Sequence, residues 1–340
     1  MTENKDLIVI VGGGPAGLGA ALAFDNNNYK NIVVLEGREN LIFDEENSYP
    51  VGVNVRGGNA IKNLFARKST PPDIPSMGLK IDQWKILVGP GINVATFNSG
   101  LVTGTSRAGV TKLLYDEVQR RGIQVLFNYK AKSVDLKDKA VICDVNNEIK
   151  TFNPKCLVIA DGYKSKCRDS LAEQSPNKSL KIDQWPWNDQ FRVLISTPNP
   201  QTDLSPFTHY IYNSTYISKW VNGRWNASLA IKENSPKFLL ATEATEENVD
   251  NLMKYVKKNS PIAYSLFTKD EYRAFFSRNV FSGAVTKVNK LFVEEWAVLL
   301  GDAAHSAFPG THFKINNFNY FLQVIIYKHS KVLVKVLTAL

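Results

Sequence analysis

Apolar and polar positions follow two rhythms along this chain. Leu7 to Val11, Ile32 to Leu35, Leu157 to Ala160 and Trp296 to Leu300 are short, unbroken apolar runs. Such runs, rich in β-branched residues, suit strands buried on both faces of a parallel sheet. Ile123 to Phe127 reads as another. Between them the spacing turns helical. After Ser106-Arg107, the residues Val110, Leu113, Leu114 and Val118 fall on one face, and Gly122 supplies the stop. Ala131 to Phe152 reads as a small antiparallel meander with Asn146-Asn147 at a turn. Residues 185–289 differ: they hold aromatic-rich β segments, Phe191 to Ser196 and Thr208 to Ser218 among them. Trp220 to Trp225 contains Asn222-Gly223, which predicts a hairpin with a type I′ turn. Helices are expected near 246–258 and 261–276.

The first apolar run delivers Gly12-Gly13-Gly14-Pro15-Ala16-Gly17. Gly12, Gly14 and Gly17 fit G-x-G-x-x-G in its proper setting, between a strand and a helix. Gly12 permits the tight turn, Gly14 lets backbone approach a pyrophosphate, and Gly17 lets the helix pack close to the strand. Ala20, Ala21 and Ala23 continue that helix, whose N-terminus offers free N–H groups and a positive dipole end to phosphates. The second run ends in Glu36, 19 residues after Gly17, where an acid binds a ribose hydroxyl.

Two further motifs follow in fixed order: Asp161-Gly162-Tyr163-Lys164-Ser165-Lys166-Cys167-Arg168, and Leu300-Gly301-Asp302-Ala303-Ala304-His305 with Pro309-Gly310. This order and spacing resembles the single-component, FAD-dependent aromatic hydroxylases, the group A flavin monooxygenases. The resemblance covers about residues 5–310, specific at the three motifs and loose between them. Tyr49 to Leu64, with an Arg-Gly turn at Arg56-Gly57, and the 106–118 segment are loosely similar to the kynurenine 3-monooxygenase branch. The resemblance implies an α/β fold. One part is a Rossmann-like FAD-binding domain with a parallel sheet and a small antiparallel meander, over 1–75, 103–180 and 290–310. The other is an antiparallel-sheet substrate domain over 76–102 and 181–289.

The resemblance also implies site residues. Glu36 would hold the adenosine ribose, with Arg38 beside it. Arg107 would reach the pyrophosphate with paired contacts. Asp161, Gly162 and Arg168 would lie where FAD and NADPH or NADH both contact the protein. Asp302 would lie near the ribityl chain, with Gly301 and Pro309 in the same cofactor-binding segment. With Gly12, Gly14, Pro15, Ala16 and Gly17 these make up the expected cofactor set. His305 invites a general-base role, but the family keeps this histidine near the flavin without one, so no catalytic side chain and no metal ligand is named. The implied reaction is hydroxylation of a small, aromatic substrate by O2 through a flavin C4a-hydroperoxide, with NADPH or NADH as reductant. Epoxidation, reduction or halogenation on the same fold, and an inactive FAD-binding remnant, are the alternatives.

Composition changes this picture at one end only. The net charge is +9, and Lys314, Lys328, Lys331 and Lys335 carry four of those charges, leaving +5 for residues 1–310. The remaining basic residues are scattered, which argues against a nucleic-acid partner. After Gly310 the family's glycine-rich turn and Gly-x-Asn helix are replaced by Thr311 to Phe318 and a basic tail over 311–340. That break suggests a disrupted gene product. The rival reading is an amphipathic helix lying on an anionic membrane surface. Cys143, Cys156 and Cys167 form no CxxC pair and read as reduced structural thiols. No leader is expected before the first strand. No run reaches the roughly 18 apolar residues needed to span a bilayer. A cytoplasmic protein is expected, with membrane contact only through the tail and an undetermined oligomeric state.

Overall fold

The computed structural model describes residues 6–307 apart from residues 42 and 213. Its strands begin with β1 (Ile8–Val11), β2 (Ile32–Leu35), β3 (Pro50–Asn54), β4 (Leu79–Val88), β5 (Ile92–Ser106) and β6 (Gln124–Leu126). Next come β7 (Lys130–Asp135), β8 (Ala140–Val145), β9 (Glu148–Phe152), β10 (Cys156–Ile159), β11 (Ile182–Pro186) and β12 (Gln190–Pro198). The last are β13 (Thr208–Tyr212), β14 (Thr215–Lys219), β15 (Arg224–Ile231), β16 (Ala284–Val288), β17 (Phe292–Val293) and β18 (Ala297–Leu299). The helices are α1 (Pro15–Asn26), α2 (Val55–Ala66), α3 (Arg107–Arg120), α4 (Lys166–Gln174), α5 (Glu246–Asn259), α6 (Pro261–Tyr264), α7 (Lys269–Ala274) and α8 (Asp302–His305).

The apolar runs form one sheet in the order β17-β18-β10-β1-β2-β6, parallel from β18 through to β6. Their unbroken hydrophobicity has a direct cause, since both faces are covered. Ile8 and Ile10 pack beneath α1, α2 and α3, with Leu18, Leu64 and Leu114 in the same core. Val9 and Val11 pack the other way, against the β7-β8-β9 meander and α4, through Val141, Cys143 and Leu171. All three cysteines are free and buried.

A second sheet has the order β12-β15-β14-β13-β4-β5-β3. It is antiparallel except at one pair, where β13 runs parallel to β4 from Thr208↔Gln83 to Ile211↔Ile86. α5, α6 and α7 cover one face through Leu252, Val256, Ala263 and Tyr272 against Tyr210, Trp225 and Leu229. On the other face Phe191, Val193, Ile195 and Trp220 meet Tyr49, Trp187 and Phe281. β11 pairs with β16 as a separate ribbon. The hexapeptide Leu79 to Trp84, repeated at Leu180 to Trp185, opens β4 in its first copy and enters β11 in its second.

Several local expectations need correction. Arg56-Gly57 is no turn but the first turn of α2, because Asn54 caps the helix by accepting from the Gly57 N–H at 3.0 Å. The Trp220 hairpin forms, but the left-handed position falls on Gly223 alone, at φ +87. The Gly223 N–H donates to Trp220 O at 3.0 Å. That geometry is a type I turn closed by a left-handed glycine, not type I′. Thr208 to Ser218 is two antiparallel strands, β13 and β14. The expected helix over 261–276 breaks into α6, α7 and a 3-10 turn, Phe275–Ser277. Thr268 starts a new helix there with a capping box: it accepts from the Glu271 N–H, and Glu271 accepts from its N–H at 2.6 Å. Thr268→Ala should lower stability by about 1 kcal/mol in urea denaturation. An unchanged midpoint would refute the cap.

Candidate functional site

β18, β10 and β1 lie side by side and run parallel, so the loops after them emerge at one edge of the sheet. Ligands of open α/β sheets bind at this carboxyl end. The three sequence motifs occupy these three loops, and sterics lock them together. Gly12 has φ +106, and a Cβ there would sit 2.4 Å from Ala160 O, just before Asp161. A Cβ on Gly17 would lie 1.9 Å from Gly12 O. Gly301, at φ +59, would place one 2.7 Å from Ala16 Cβ. Gly14 is different: no atom lies within 4 Å of its missing Cβ, and it gives α1 no side-chain cap. The N–H groups of the first turn of α1 are thus left to whatever occupies that open space. Gly162, at φ +89, is equally open.

Glu36 at the end of β2 is buried and accepts from the Gly13 N–H at 2.8 Å. Arg38 binds both its oxygens, at 2.9 and 3.2 Å. Burial alone would raise this carboxyl, but hydrogen bonds and charge from Arg38 and the Gly13 N–H outweigh it and hold it low. Arg107 opens α3, capped by Ser106, whose hydroxyl accepts from the Gly109 N–H at 2.9 Å. The Arg107 side chain is exposed, and its backbone N–H is tied to Tyr49 O. A cleft lined by Gly14, Arg38, Leu41, Ser48, Arg107 and Thr111 joins these elements.

Asp161 lies directly against the first glycine loop, its Cα 3.0 Å from where a Cβ on Gly12 would stand. Burial raises the Asp161 carboxyl, against the opposing pull of the Ser165 hydrogen bond and the Arg168 charge, and its Oδ1 is buried without a partner. Arg168 is 1% exposed, and protein atoms take up its guanidinium. Its Nη1 donates to Tyr163 O at 3.1 Å and Ala303 O at 3.3 Å, and its Nε to Asp169. It therefore bridges the second motif to the third. Asp302 opens α8. Its surface is open on one side, yet desolvation raises its carboxyl, with the Arg107 and His305 charges pulling down. Pro309 and the tail over 311–340 lie outside the described residues.

Sequence reasoning missed the loop before β3. Ser48 accepts from the Ala108 N–H at 3.2 Å and lines the cleft. Tyr49 lies within reach of the Arg107 and Asp302 charges and packs edge-on to Phe191 and Phe281. Nothing in linear spacing marks either residue, because their role comes from β3 pairing with the end of β5. His209 was missed as well. Burial pushes it down to about 3, so it stays neutral, with the Tyr216 hydroxyl 2.5 Å from its Nδ1.

Among the described residues no helix is long and apolar enough to cross a membrane. No curated protein matches the chain in sequence. Residues 91–316 match the family described as FAD binding domain. Among solved structures, the tetrameric form of 2-methyl-3-hydroxypyridine-5-carboxylic acid oxygenase superposes with a TM-score of 0.70 at 17% identity, over 90% of this chain and 77% of that one. p-Nitrophenol 4-monooxygenase PnpA from Pseudomonas putida DLL-E4 gives 0.67 at 15% identity, over 89% and 74%. A point variant of HpxO from Klebsiella pneumoniae, complexed with FAD, gives 0.64 at 15% identity, over 89% and 76%. With the matched family spanning most of the chain and the three loops gathered at one sheet edge, this protein belongs to the FAD binding domain family and has the fold of the group A flavin monooxygenases.

Proposed function

We propose that the protein is an FAD-dependent monooxygenase that takes two electrons from NADPH or NADH and puts one atom of O2 on a small aromatic substrate, the other leaving as water. The observation that carries this reading is the cleft between α1 and α3. It brings Gly14, Arg38 and Arg107 to one wall, although 24 and 69 residues of sequence separate them in turn. An uncapped helix N-terminus, an exposed arginine and a ribose-type acid fit a dinucleotide's pyrophosphate and sugar.

FAD bound there would supply the hydride acceptance and the oxygen activation, which no amino-acid side chain offers. The chain's own part is to hold and to shield. The first turn of α1 and Arg107 hold phosphate oxygens, and Glu36, kept ionised by Arg38, accepts from a ribose hydroxyl. Asp161, Gly162, Gly301 and Asp302, on the two neighbouring loops, would hold the rest of the cofactor, and Arg168 ties those loops together through Tyr163 O and Ala303 O. The strand-rich part over 76–102 and 181–289 forms the substrate side, where Phe191, Val193 and Ile195 exclude water.

Gel filtration of the purified chain with FAD, followed by a visible absorption spectrum, tests the cofactor. Flavin bands eluting with the protein are expected, and protein free of flavin would sink the proposal. Product analysis with NADPH or NADH, O2 and a panel of phenols and aromatic acids then tests oxygen insertion, with a hydroxylated product expected. A reduced, epoxidised or halogenated product would reassign the reaction. Arg107→Ala should weaken FAD about ten-fold, as expected for one charge-assisted contact. Unchanged affinity in a flavin-fluorescence titration would remove Arg107 from the site.

A further inference from the structure

Between β2 and β3 the described chain has no helix or strand, yet this stretch forms one wall of the cleft through Leu41, Phe43, Asp44, Asn47 and Ser48. Without a helix or a ladder of its own, the wall depends on bonds made by its side chains and ends. Asp44 accepts from the Glu46 N–H at 2.7 Å and from the Asn47 side chain at 2.8 Å, which folds the segment into a tight turn. Its far end is tied to α3, where Ser48 accepts from the Ala108 N–H and Tyr49 O accepts from the Arg107 N–H at 3.1 Å.

The middle of the wall is held from the strand-rich part, where Glu46 lies between two guanidiniums. The Arg278 side chain, 6% exposed, donates to Glu46 Oε2 from Nη2 at 2.8 Å and from Nε at 3.3 Å. Arg224 donates to Oε1 from Nη1, and its own Nε is fixed on Ser196 O at 2.7 Å. Beside it, Glu45 accepts from the Asn222 side chain. Three residues past Glu46, Tyr49 packs on Phe281, itself three residues past Arg278, with ring centroids 5.1 Å apart. The two segments therefore meet twice, once by charge and once by ring. Burial would raise the Glu46 carboxyl, but hydrogen bonds and charge from Arg278 and Arg224 outweigh it and keep it ionised. Exposed ion pairs usually add little, but this carboxylate takes charge-assisted bonds from two arginines, one of them nearly buried.

We propose that Glu46 is a positioning residue for cofactor retention: clasped by Arg224 and Arg278, it keeps the 43–48 wall closed on the cleft and sets the rate at which the cofactor leaves. The proposal rests on the reading that FAD occupies the cleft. A ligand lying between this wall and the first turn of α1 is released when the wall swings outward, and the wall swings only after Glu46 parts from both arginines. Bonds that must break on the way out act on dissociation far more than on association.

The test dilutes the FAD-loaded, full-length protein into FAD-free buffer and follows release by the recovery of free-flavin fluorescence. Glu46→Gln should speed release about ten-fold, as expected for the loss of a charge-assisted contact, with little change in the association rate. Glu46→Asp, which keeps the charge, should restore much of the slow release. Arg224→Gln opens the clasp from the other side and should speed release to a similar degree, and it decides the matter if Glu46→Gln does not fold. The double variant should release no faster than the faster single one, because both changes break the same bond. Glu246→Gln is the control. Glu246 also sits between two cations, Lys269 and Arg273, but on the helices over the face of the second sheet opposite Tyr49 and Phe281. Its release rate should match that of the unaltered protein. Equal release from the unaltered protein, Glu46→Gln and Arg224→Gln overturns the proposal. So does a control that speeds release as much, or a double variant in which the two effects multiply. An unaltered protein that never retains flavin overturns the cofactor reading, and this proposal with it.

Discussion

Gly17→Ala is expected to destabilise the protein and strip it of flavin together. The added methyl would stand 1.9 Å from Gly12 O and 3.3 Å from Ile10 Cγ2. Backbone cannot swing aside as a long side chain does. Gly12 is itself held, with its N–H donating to Leu35 O at 2.8 Å and Ala160 O blocking any outward tilt. The strain must be relieved by lifting α1 off the sheet, yet α1 is anchored by the buried Leu18, Leu22 and Phe24. A cost of about 1–3 kcal/mol is the usual range for such overpacking, and a rigid backbone on both sides puts this site at its upper end. Gly14→Ala is the matched control. Its methyl meets nothing within 4 Å, so thermal stability should hold while flavin affinity falls, because the methyl fills the space proposed for the phosphates. A Gly17→Ala protein with native melting temperature and full flavin content would contradict the close-packing account.

The second large effect is expected far from the cleft. The side chain of Arg121, at the C-terminal cap of α3, is 3% exposed and joins the ends of three helices. Its Nε donates to Glu117 at 2.6 Å, and its Nη1 to Asp25 at 3.2 Å and Asn26 at 2.7 Å. Nη2 donates to Leu64 O at 2.7 Å. Arg121→Met would remove the cation that Glu117 and Asp25 share, but Arg120 still pairs with Glu117 and Lys68 with Asp25, so the expected loss is that of several charge-assisted hydrogen bonds, about 2–3 kcal/mol. Chemical denaturation should show it directly, and a loss below about 1 kcal/mol would refute the network. Acid titration offers a second readout. Burial would raise the Glu117 carboxyl, but hydrogen bonds from Arg120, Ser69 and Arg121 outweigh it and bring it from 4.5 to about 2. A carboxylate held low in the folded state contributes stability above its unfolded value and loses it as the pH falls. Stability should therefore decline between about pH 4.5 and 2, and Glu117→Gln should flatten that slope.

The sheet carrying the site was legible because its strands are short, wholly apolar and set beside glycines. Their sequence pattern reports burial on both faces, which few other settings require. The helix through Val110, Leu114 and Val118 was legible for the same reason, as each side chain meets the core at helical spacing. What escaped depends on partners remote in sequence. The parallel β13–β4 pair needs a crossing of more than a hundred residues, and nothing local in Thr208 or Gln83 announces it. Asn222-Gly223 announced a hairpin, but its type is set by Trp220 pairing with Arg224. The Arg121 network was half visible: Glu117 lies one helical turn before it, whereas Asp25 comes from another helix. For Arg168 the motif gave position but not direction, and only the fold shows its guanidinium spent on Tyr163 and Ala303.

The order of strands has a consequence for synthesis of the protein. β1 emerges first and sits in the middle of its sheet. One neighbour, β10, follows at residues 156–159, and the strand beyond that, β18, at 297–299. A ribosome must therefore deliver nearly the whole chain before the parallel sheet can close, while β1 and β2 wait with apolar faces uncovered. Contacts this distant in sequence slow folding and lengthen the exposure of aggregation-prone strands. Release of the nascent chain before residue 299 would leave the parallel sheet without β18, and β10 with an open edge.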